Sequence, residues 1–211
     1  MHLVLLGPPG AGKGTQGQAL ALHFGVPHVA SGDLIRNHIE RGTEFGKEVE
    51  AATAAGNFVP DKDILYWIGR RLLEPDAAAG FVLDGFPRDL AQAQAFKWPL
   101  NAVVELVLAE DAVIKRLAGR MVCSLCGAIY NTFSHLPRVN STCDLDGEAL
   151  IRRPDDESDA IRRRLVVYHR MTLPLREYYV ERDLLLSVDA AGTVDEVQRR
   201  ILKSLSVGTL R

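Results

Sequence analysis

The sequence predicts an α/β fold in which helices cover both faces of a parallel sheet. Near-continuous apolar runs predict strands at residues 3–6, 26–29, 81–84, 103–108 and 184–188. Apolar residues at helical spacing predict helices between them, at residues 16–24, 61–73, 90–96, 111–118, 161–182 and 194–205. Because strands without a polar face are buried on both sides, this alternation favours a parallel sheet. Ligands of such sheets bind at the carboxyl ends of the strands.

A glycine-rich turn at residues 7–15 joins the first predicted strand to the first predicted helix. Gly7, Gly10 and Gly12 have no side chain in the way, so backbone N–H groups can close around phosphate oxygens. The N-terminal end of the following helix adds a positive partial charge. This setting predicts a phosphate-binding loop.

Two side chains of the loop extend this prediction. Lys13 can reach the terminal phosphates of a nucleotide, and Thr15 can lie near a magnesium ion. Gly7, Gly12 and Lys13 fit the pattern G-x-x-x-x-G-K-[ST], whereas Gly14 stands where the hydroxyl residue is expected. The loop therefore predicts binding of a nucleoside triphosphate, but it does not say what happens to the phosphate.

The composition sets limits on the class of protein. The chain has 211 residues, of which 47% are apolar, and a formal net charge of −2. The length suits one domain with inserted subdomains, and the charge gives no sign of a nucleic-acid or membrane protein. The sequence has neither a bilayer-spanning apolar run nor the pattern of a signal peptide. Its three cysteines cannot all pair with one another, so we expect no disulfide framework and a cytoplasmic location.

Polar residues after two other predicted strands indicate a second anion site. Ser31 is a good capping residue at a helix start, with Arg36 about one turn further on. Asp84 falls at the end of a buried strand, where a magnesium–phosphate complex would lie beside Lys13. Arg88 follows it closely and can donate two hydrogen bonds to a phosphate.

Four more arginines lie near these strand ends. We expect Arg116 and Arg120 to share a helix face, because they are four residues apart. Arg153 and Arg164 bracket the start of the long predicted helix, whose first turn suits the residues 154–157. Of the arginines that start this helix, we favour Arg164 for the site because it flanks the apolar face.

Two stretches interrupt the alternation of strands and helices. The first, at residues 31–60, contains two short helical patterns at 33–41 and 45–55. The second, at residues 121–159, has few helix signals and contains all three cysteines. We interpret both as insertions into the core.

The second insertion has the spacing of a structural zinc site. Cys123 and Cys126 form a C-x2-C motif, and Cys143 and Asp146 follow as C-x2-D. Asp146 takes the position of a fourth cysteine, and a carboxylate is an acceptable ligand. Two neighbours compete for this role, Asp144 and, more weakly, His135.

Together these motifs closely resemble those of adenylate kinases. They cover nearly the whole chain in the family's order, at residues 7–15, 31–36, 59–61, 84–88 with Gln92, 119–120 and 153–164. The unusual Gly14 is the form that this family's loop takes. The resemblance implies a P-loop core with a five-stranded parallel sheet (residues 1–30, 60–120 and 160–211), an AMP-binding insertion (31–59) and a lid (121–159). It also implies the reaction MgATP + AMP ⇌ 2 ADP.

The resemblance also assigns residues to the two substrates. The implied ATP-binding residues are Gly10, Ala11, Gly12, Lys13, Gly14, Thr15, Arg116, Arg120, Ile129, Tyr130 and Gly192. The implied AMP-binding residues are Ser31, Arg36, Asn57, Phe58, Val59, Gly85, Phe86, Pro87, Arg88, Gln92, Arg153 and Arg164. Five cations would act in catalysis: Lys13, Arg88, Arg120, Arg153 and Arg164. Magnesium would be held through water by Asp84 and Asp33.

The lid is similar to the zinc-bearing lid of some bacterial adenylate kinases, which implies a structural zinc ion. We further expect a monomer that binds ATP, AMP and ADP and neither nucleic acid nor membranes. One alternative is a kinase for UMP or CMP, against which Gln92 and the long lid argue. Another is a zinc-knuckle protein that binds nucleic acid, but the lid has no basic stripe with aromatic platforms.

Overall fold

The structure is a computed structural model that describes residues 1–54 and 60–208. Within these ranges the strands are β1 (His2–Leu6), β2 (His28–Ala30), β3 (Phe81–Asp84), β4 (Ala102–Val107), β5 (Arg120–Cys123), β6 (Ile129–Asn131), β7 (Leu150–Ile151) and β8 (Leu185–Asp189). The α-helices are α1 (Lys13–Phe24), α2 (Ser31–Glu40), α3 (Glu44–Ala54), α4 (Asp61–Leu72), α5 (Leu90–Ala95), α6 (Glu110–Ala118), α7 (Ser158–Val167), α8 (Leu175–Val180) and α9 (Val194–Gly208). None of these helices is both long and apolar enough to cross a membrane.

A five-stranded parallel sheet forms the centre of the chain, in the order β2-β3-β1-β4-β8. This confirms the predicted fold class. The strand predicted at residues 26–29 begins later, at His28. Pro27 has no N–H to give to the ladder, and its carbonyl accepts a bond from Val82 at 2.9 Å.

Both faces of the sheet are buried, as the apolar runs predict. Along β1, Val4 and Leu6 face a core that includes side chains of α4, α5 and α8. Leu3 and Leu5 face the opposite core, which includes side chains of α1 and α9. Each fully buried aliphatic side chain contributes about 1.5–3 kcal/mol by leaving water. The sheet therefore gives the strand ends at the site a rigid support.

The long helix predicted at residues 161–182 is wrong as a single element. It is divided into α7, a π-helical turn at Tyr168–Thr172, and α8. Pro174 explains the division, because its nitrogen carries no hydrogen and its ring would clash with a carbonyl of the preceding turn. The backbone widens before it, and the N–H of Leu173 donates to the carbonyl of Tyr168, five residues earlier, at 2.9 Å.

The expectation that Arg116 and Arg120 share a helix face is also wrong. Helix α6 ends at Ala118, Gly119 caps it, and Arg120 is the first residue of β5. Strands β6, β5 and β7 form a small antiparallel sheet that the sequence did not predict. The division into core, AMP-binding insertion and lid stays a prediction.

Candidate nucleotide site and metal centre

A cavity of about 950 Å³ opens at the carboxyl ends of the parallel strands. One part of its wall is the glycine-rich loop after β1. Other parts are the segment after β3, helix α2, the start of α9 and the small antiparallel sheet. One continuous space thus collects the residues that the sequence analysis assigned to two anion sites.

The glycine-rich loop has the conformation that its sequence predicts. Gly7 has a φ of 137°, and a Cβ there would lie 2.6 Å from the carbonyl oxygen of Leu106. Gly12 precedes α1 with a φ of 98° and offers no side-chain cap, so the first N–H groups of the helix stay open. The Nζ of Lys13 donates to the carbonyls of Gly7 and Pro8, at 2.8 and 2.9 Å. The loop is a cradle for phosphate, with its lysine folded back over it.

The surroundings of Lys13 favour the binding of an anion beside it. Burial lowers its pKa from 10.5 to about 8; the charge of Asp84 raises it, and those of Arg164, Arg88 and Arg120 lower it further. A bound polyphosphate would reverse this balance because it favours the charged lysine. The site is therefore incomplete without a negative ligand.

Gly14, the residue that departs from the general loop pattern, lies between two other parts of the site. A Cβ at Gly14 would be 3.7 Å from the carboxylate of Asp84 and 3.5 Å from the Cδ1 of Ile129 in β6. The small antiparallel sheet therefore lies against the loop. Asp84 also faces His28, whose Nε2 is 3.9 Å from its carboxylate.

Arg88 is held in place by the turn that follows β3. Its Nε donates to the carbonyl of Gly85 at 2.6 Å, and its backbone N–H donates to the Oε1 of Gln92 at 2.8 Å. Ser31 does not cap α2 as expected. Its hydroxyl donates to the carbonyl of Gly85 at 2.7 Å, and a guanidinium nitrogen of Arg88 lies 3.4 Å from it.

Asp156 joins two of the predicted arginines. Its carboxylate accepts two hydrogen bonds from Arg120, at 2.6 and 2.7 Å, and one from Arg164 at 3.1 Å. The side chain of Asp156 is only 2% exposed. The expectation that residues 154–157 form the first turn of the long helix is wrong, because 154–156 form a separate 3-10 turn before α7. Two carboxylates in that turn can face the arginines.

The second of these carboxylates, Asp155, contacts Arg164 at 2.9 Å. Burial alone would raise the pKa of Asp155, but the charges of Arg164, Arg120, Arg153 and Arg36 hold it below its usual value. Asp155 is thus a stable anion among cations.

The cavity carries more positive than negative charge. Among the described residues that line it, seven are lysine or arginine and four are aspartate. Burial lowers the pKa of Arg88 to about 10, and the charge of Arg164 adds to this. Burial, then the charges of Arg36 and Arg120, lower the pKa of Arg153 to about 10. Cations crowded against one another in this way favour a polyanionic ligand.

The far end of the cavity is built around the loop between β8 and α9. Arg116 donates to the carbonyls of Ala190 at 2.9 Å and Ala11 at 3.3 Å, so it ties this loop to the glycine-rich loop. Thr193 and Glu196 exchange hydrogen bonds as a capping box at the start of α9. Gly192 directly precedes Thr193 and has a φ of 105°.

Most of the residues assigned from the sequence line this one cavity. All the residues assigned to ATP do so, as do Asp33, Asp84, and six of those assigned to AMP: Arg36, Gly85, Pro87, Arg88, Arg153 and Arg164. Three others are buried behind the wall, namely Ser31, Phe86 and Gln92. Asn57, Phe58 and Val59 lie outside the described residues.

Sequence reasoning missed several residues of the site. Asp156 looked like a helix-start residue, although its carboxylate holds two arginines. Thr172 and Tyr168 line the cavity from the π-helical turn, which no local pattern predicted. The signal available in the sequence was a threonine two residues before Pro174, a proline that interrupts the long helical pattern.

A cluster of possible metal ligands lies at the edge of the small antiparallel sheet. Ligand atoms of Cys123, Cys126, Cys143 and Asp146 all lie within 4.8 Å of one another. The carboxylate of Asp144, the competing residue, instead accepts a hydrogen bond from the backbone N–H of Arg138 at 2.8 Å. The cluster could hold a metal ion.

Hydrogen bonding within the cluster shifts the pKa values of its side chains. A bond to Asp146 raises the pKa of the Cys126 thiol to about 12. The same bond, with others, holds the pKa of Asp146 well below its usual range. Metal binding at such a cluster releases thiol protons, so the affinity for the metal increases with pH.

Comparisons with known proteins agree over the length of the chain. Residues 5–184 match the family model described as adenylate kinase. The adenylate kinase of Anaeromyxobacter sp. (strain Fw109-5) is 42% identical over 214 residues, which cover 97% of this chain and all of that protein. The adenylate kinase of Moorella thermoacetica is 41% identical, over 97% of this chain and 98% of that protein. That of Methanothrix thermoacetophila is 39% identical, over 98% and 99%.

Proposed function

The chain belongs to the adenylate kinase family, and we propose how its residues divide the work of the reaction MgATP + AMP ⇌ 2 ADP. The protein is a nucleoside monophosphate kinase that binds ATP, AMP and ADP, and its family uses Mg²⁺ with ATP. The observation that carries the proposal is one continuous cavity that has the phosphate loop in one wall and a cluster of partly buried cations in the other.

The cation cluster supplies what phosphoryl transfer requires. Such a reaction needs two anions held in line and neutralisation of charge on the moving group, with little covalent chemistry from the protein. Lys13, Arg88, Arg120, Arg153 and Arg164 are the proposed catalytic residues. All five are partly buried, and hydrogen bonds hold the side chains of Lys13, Arg88, Arg120 and Arg164 in place, so little reorganisation is needed as charge develops. The acceptor phosphate is already ionised and needs no general base.

Magnesium, when bound, screens the negative charge of the phosphates and helps to align them. We propose that Asp84 and Asp33 hold its water shell. Asp84 suits this role because its carboxylate lies near both Gly14 and the cation of Lys13. In the structure, Asp33 forms an ion pair with Arg36.

The proposed ATP site comprises the loop residues 10–15 together with Arg116, Arg120, Ile129, Tyr130 and Gly192. Arg116 lies between the glycine-rich loop and the loop after β8, which is where an adenine ring would extend from the phosphates. The backbone of Gly192 is the proposed partner of that ring. Ile129 and Tyr130 approach from the small sheet, which acts as a lid that excludes water.

The proposed AMP site comprises Ser31, Arg36, residues 57–59, residues 85–88 and Gln92, with Arg153 and Arg164 closing on the phosphate. Arg36 and Arg88 are its phosphate ligands. Gln92 is the proposed reader of the adenine base, since a carboxamide offers both a donor and an acceptor. Its position directly behind Arg88 supports this role.

Zinc is the proposed metal of the lid, with Cys123, Cys126, Cys143 and Asp146 as ligands. A tetrahedron with Zn–S distances of about 2.3 Å and a Zn–O distance of about 2.0 Å has edges of about 3.8 Å between sulfurs and about 3.5 Å between sulfur and oxygen. The Sγ atoms of Cys126 and Cys143 are 3.6 Å apart, and the Sγ of Cys123 is 3.3 Å from Asp146. Four protein ligands leave no open position, so this metal is structural.

The proposed assembly state is a monomer that does not bind nucleic acid, and the proposed location is the cytoplasm. Size-exclusion chromatography with light scattering should give one mass near that of the chain, 23.2 kDa. Three thiols kept free at a metal site fit a reducing compartment.

The test of the proposed function uses two neighbouring arginines and three monophosphates. The wild-type protein with MgATP should form ADP with AMP far faster than with UMP or CMP. Arg164→Gln should lower kcat with AMP about 10²–10³-fold, the loss typical of a removed charge-stabilising donor. Arg163→Gln, at an exposed position one residue away, should stay within about twofold of wild type. A wild-type preference for UMP or CMP, or a normal kcat in Arg164→Gln, would contradict the proposal.

A further inference from the structure

The π-helical turn at Tyr168–Thr172 brings a buried hydroxyl to the acceptor side of the cavity. The turn directly continues α7, the helix that carries Arg164. Its last residue, Thr172, is 9% exposed and lines the cavity. A π turn contains one residue more than an α turn and rotates the residues that follow it. Such turns are frequent at functional sites.

The hydroxyl of Thr172 donates to the backbone carbonyl of Arg88 at 2.7 Å, across 84 positions of sequence. The backbone N–H of Arg88 donates to the side chain of Gln92. The peptide groups on both sides of the Arg88 Cα are therefore fixed by side chains, one from α5 and one from the π turn. The direction in which the guanidinium leaves the backbone depends on both contacts.

This contact spans a repulsive pair of charges. Arg88 and Arg164 both line the cavity, and the charge of Arg164 disfavours the charged form of Arg88. Arg164 also pairs with Asp155 and Asp156, which offset part of this repulsion. The bond from Thr172 ties the turn after β3, which carries Arg88, to the π turn that continues α7, so it restrains the distance between Arg88 and the helix that carries Arg164.

We propose that Thr172 is a positioning residue for AMP, which holds the Arg88 turn at a fixed distance from the helix that carries Arg164. This inference rests on the proposed role of Arg88 as a ligand of the AMP phosphate. Thr172 acts through Arg88 rather than on the substrate. Its hydroxyl is the essential group, because valine has the same shape but would leave the carbonyl of Arg88 without this donor.

The test compares Thr172→Val with Thr172→Ser in steady-state kinetics with AMP and ATP varied separately. Thr172→Val should raise the KM for AMP about tenfold and lower kcat, the size expected when a buried carbonyl loses its donor. The KM for ATP should change less than about twofold, since the glycine-rich loop does not contact this bond. Thr172→Ser keeps the hydroxyl and should restore most of the affinity for AMP.

A control separates positioning from a general loss of stability. Ser187→Ala removes a hydroxyl of strand β8 that donates to Glu105 at 2.6 Å and, among the residues that the structure describes, makes no contact with the Arg88 turn. Ser187→Ala should lower the thermal midpoint without a selective change in the KM for AMP. Equal changes of both KM values in Thr172→Val, an unchanged KM for AMP, or a failure of serine to rescue would each overturn the inference.

The variant Arg88→Gln distinguishes this inference from the proposed function. If Arg88→Gln raises the KM for AMP and Thr172→Val does not, the positioning role is wrong and the site assignment stands. If Arg88→Gln leaves the KM for AMP unchanged, the site assignment itself is wrong, and the inference falls with it.

Discussion

The cavity with its cation cluster (the cleft) and the small antiparallel sheet (the proposed lid) differ in what stabilises them. The cleft lies on strand ends supported by two large apolar cores, and the charged groups of Lys13 and Arg88 donate hydrogen bonds to backbone carbonyls of the adjoining loops. The lid sheet has a core of four buried residues, Cys123, Tyr130, Cys143 and Leu150. Two of these four are proposed metal ligands. The small antiparallel sheet therefore has too little apolar core to be stable by itself, and we propose that a metal bound by the cluster stabilises it.

This difference predicts which substitutions change catalysis and which change stability. In the cleft, charges are buried at a cost to the free protein, as the lowered pKa values of Lys13 and Arg88 indicate. That arrangement favours the substrates over solvent. In the small antiparallel sheet, the proposed metal ligands would instead serve folding. We therefore expect changes in the cleft to act mainly on catalysis and changes in the metal cluster to act mainly on the stability of the lid.

Replacement of Lys13 should give the largest effect. Lys13→Met should lower kcat about 10³-fold, because the charge nearest the transferring phosphates is lost. The thermal midpoint should not fall, since a buried cation with a lowered pKa does not stabilise the fold. Lys203→Met, at an exposed position of α9, is the control and should be active. A collapse of stability in Lys13→Met would contradict this division.

Replacement of Asp156 should give the next largest effect, because this residue contributes both to catalysis and to stability. Asp156→Asn should lower kcat about 10²-fold as Arg120 and Arg164 lose the carboxylate that orients them. It should also lower stability, by about 3–5 kcal/mol, the cost of breaking a buried ion pair. Asp159→Asn, whose partner Arg162 is equally exposed, should change neither. Wild-type kcat in Asp156→Asn would show that the arginines need no positioning carboxylate.

A change of pH should give a smaller, graded effect on kcat/KM for MgATP. The pKa of Lys13 in the free protein is about 8. Because the proposed triphosphate site requires protonated Lys13, kcat/KM for MgATP should be constant below this pH. Above it, kcat/KM should fall about tenfold per pH unit. In Lys13→Arg the cation stays charged, so this limb near pH 8 should disappear. Persistence of the limb would assign it to another group.

The stability of the empty protein should change with pH in the opposite sense. The pKa of Lys13 is lower in the folded state than its ordinary value of 10.5, so the unfolded chain binds more protons between pH 8 and 10.5. The contribution of this residue to the free energy of unfolding therefore rises with pH in that window. Denaturant unfolding of wild type and Lys13→Met at pH 8 and 10 measures it.

Local patterns predicted the parts of the molecule that depend on local chemistry. The parallel strands and the glycine-rich loop follow from apolar runs and from glycines with positive φ, such as Gly12. The choice of Arg164 over Arg163 follows from helical spacing, and Arg164 lines the cavity while Arg163 is exposed. The metal cluster follows from the spacing of Cys123, Cys126, Cys143 and Asp146.

The residues that failed this reasoning are placed by tertiary contacts. Ser31 suits a helix cap, but its hydroxyl bonds Gly85 from a distant strand end. Asp156 suits a helix start, but it holds Arg120 from 36 positions away. Thr172 is fixed by a π turn that forms because Pro174 cannot continue the helix. Sequence spacing contains none of these pairings.

Metal replacement in the lid is the measurement that tests the comparison most directly. Protein with the lid metal removed, or reloaded with Zn²⁺ or Co²⁺, would be assayed at low temperature in saturating Mg²⁺, with amide exchange followed in strands β5 to β7. We expect that removal greatly speeds exchange in the lid, that either metal restores slow exchange, and that kcat is the same within about twofold for the two metals. A kcat that follows the identity of the lid metal while exchange stays unchanged would contradict it, because the metal would then take part in the chemistry.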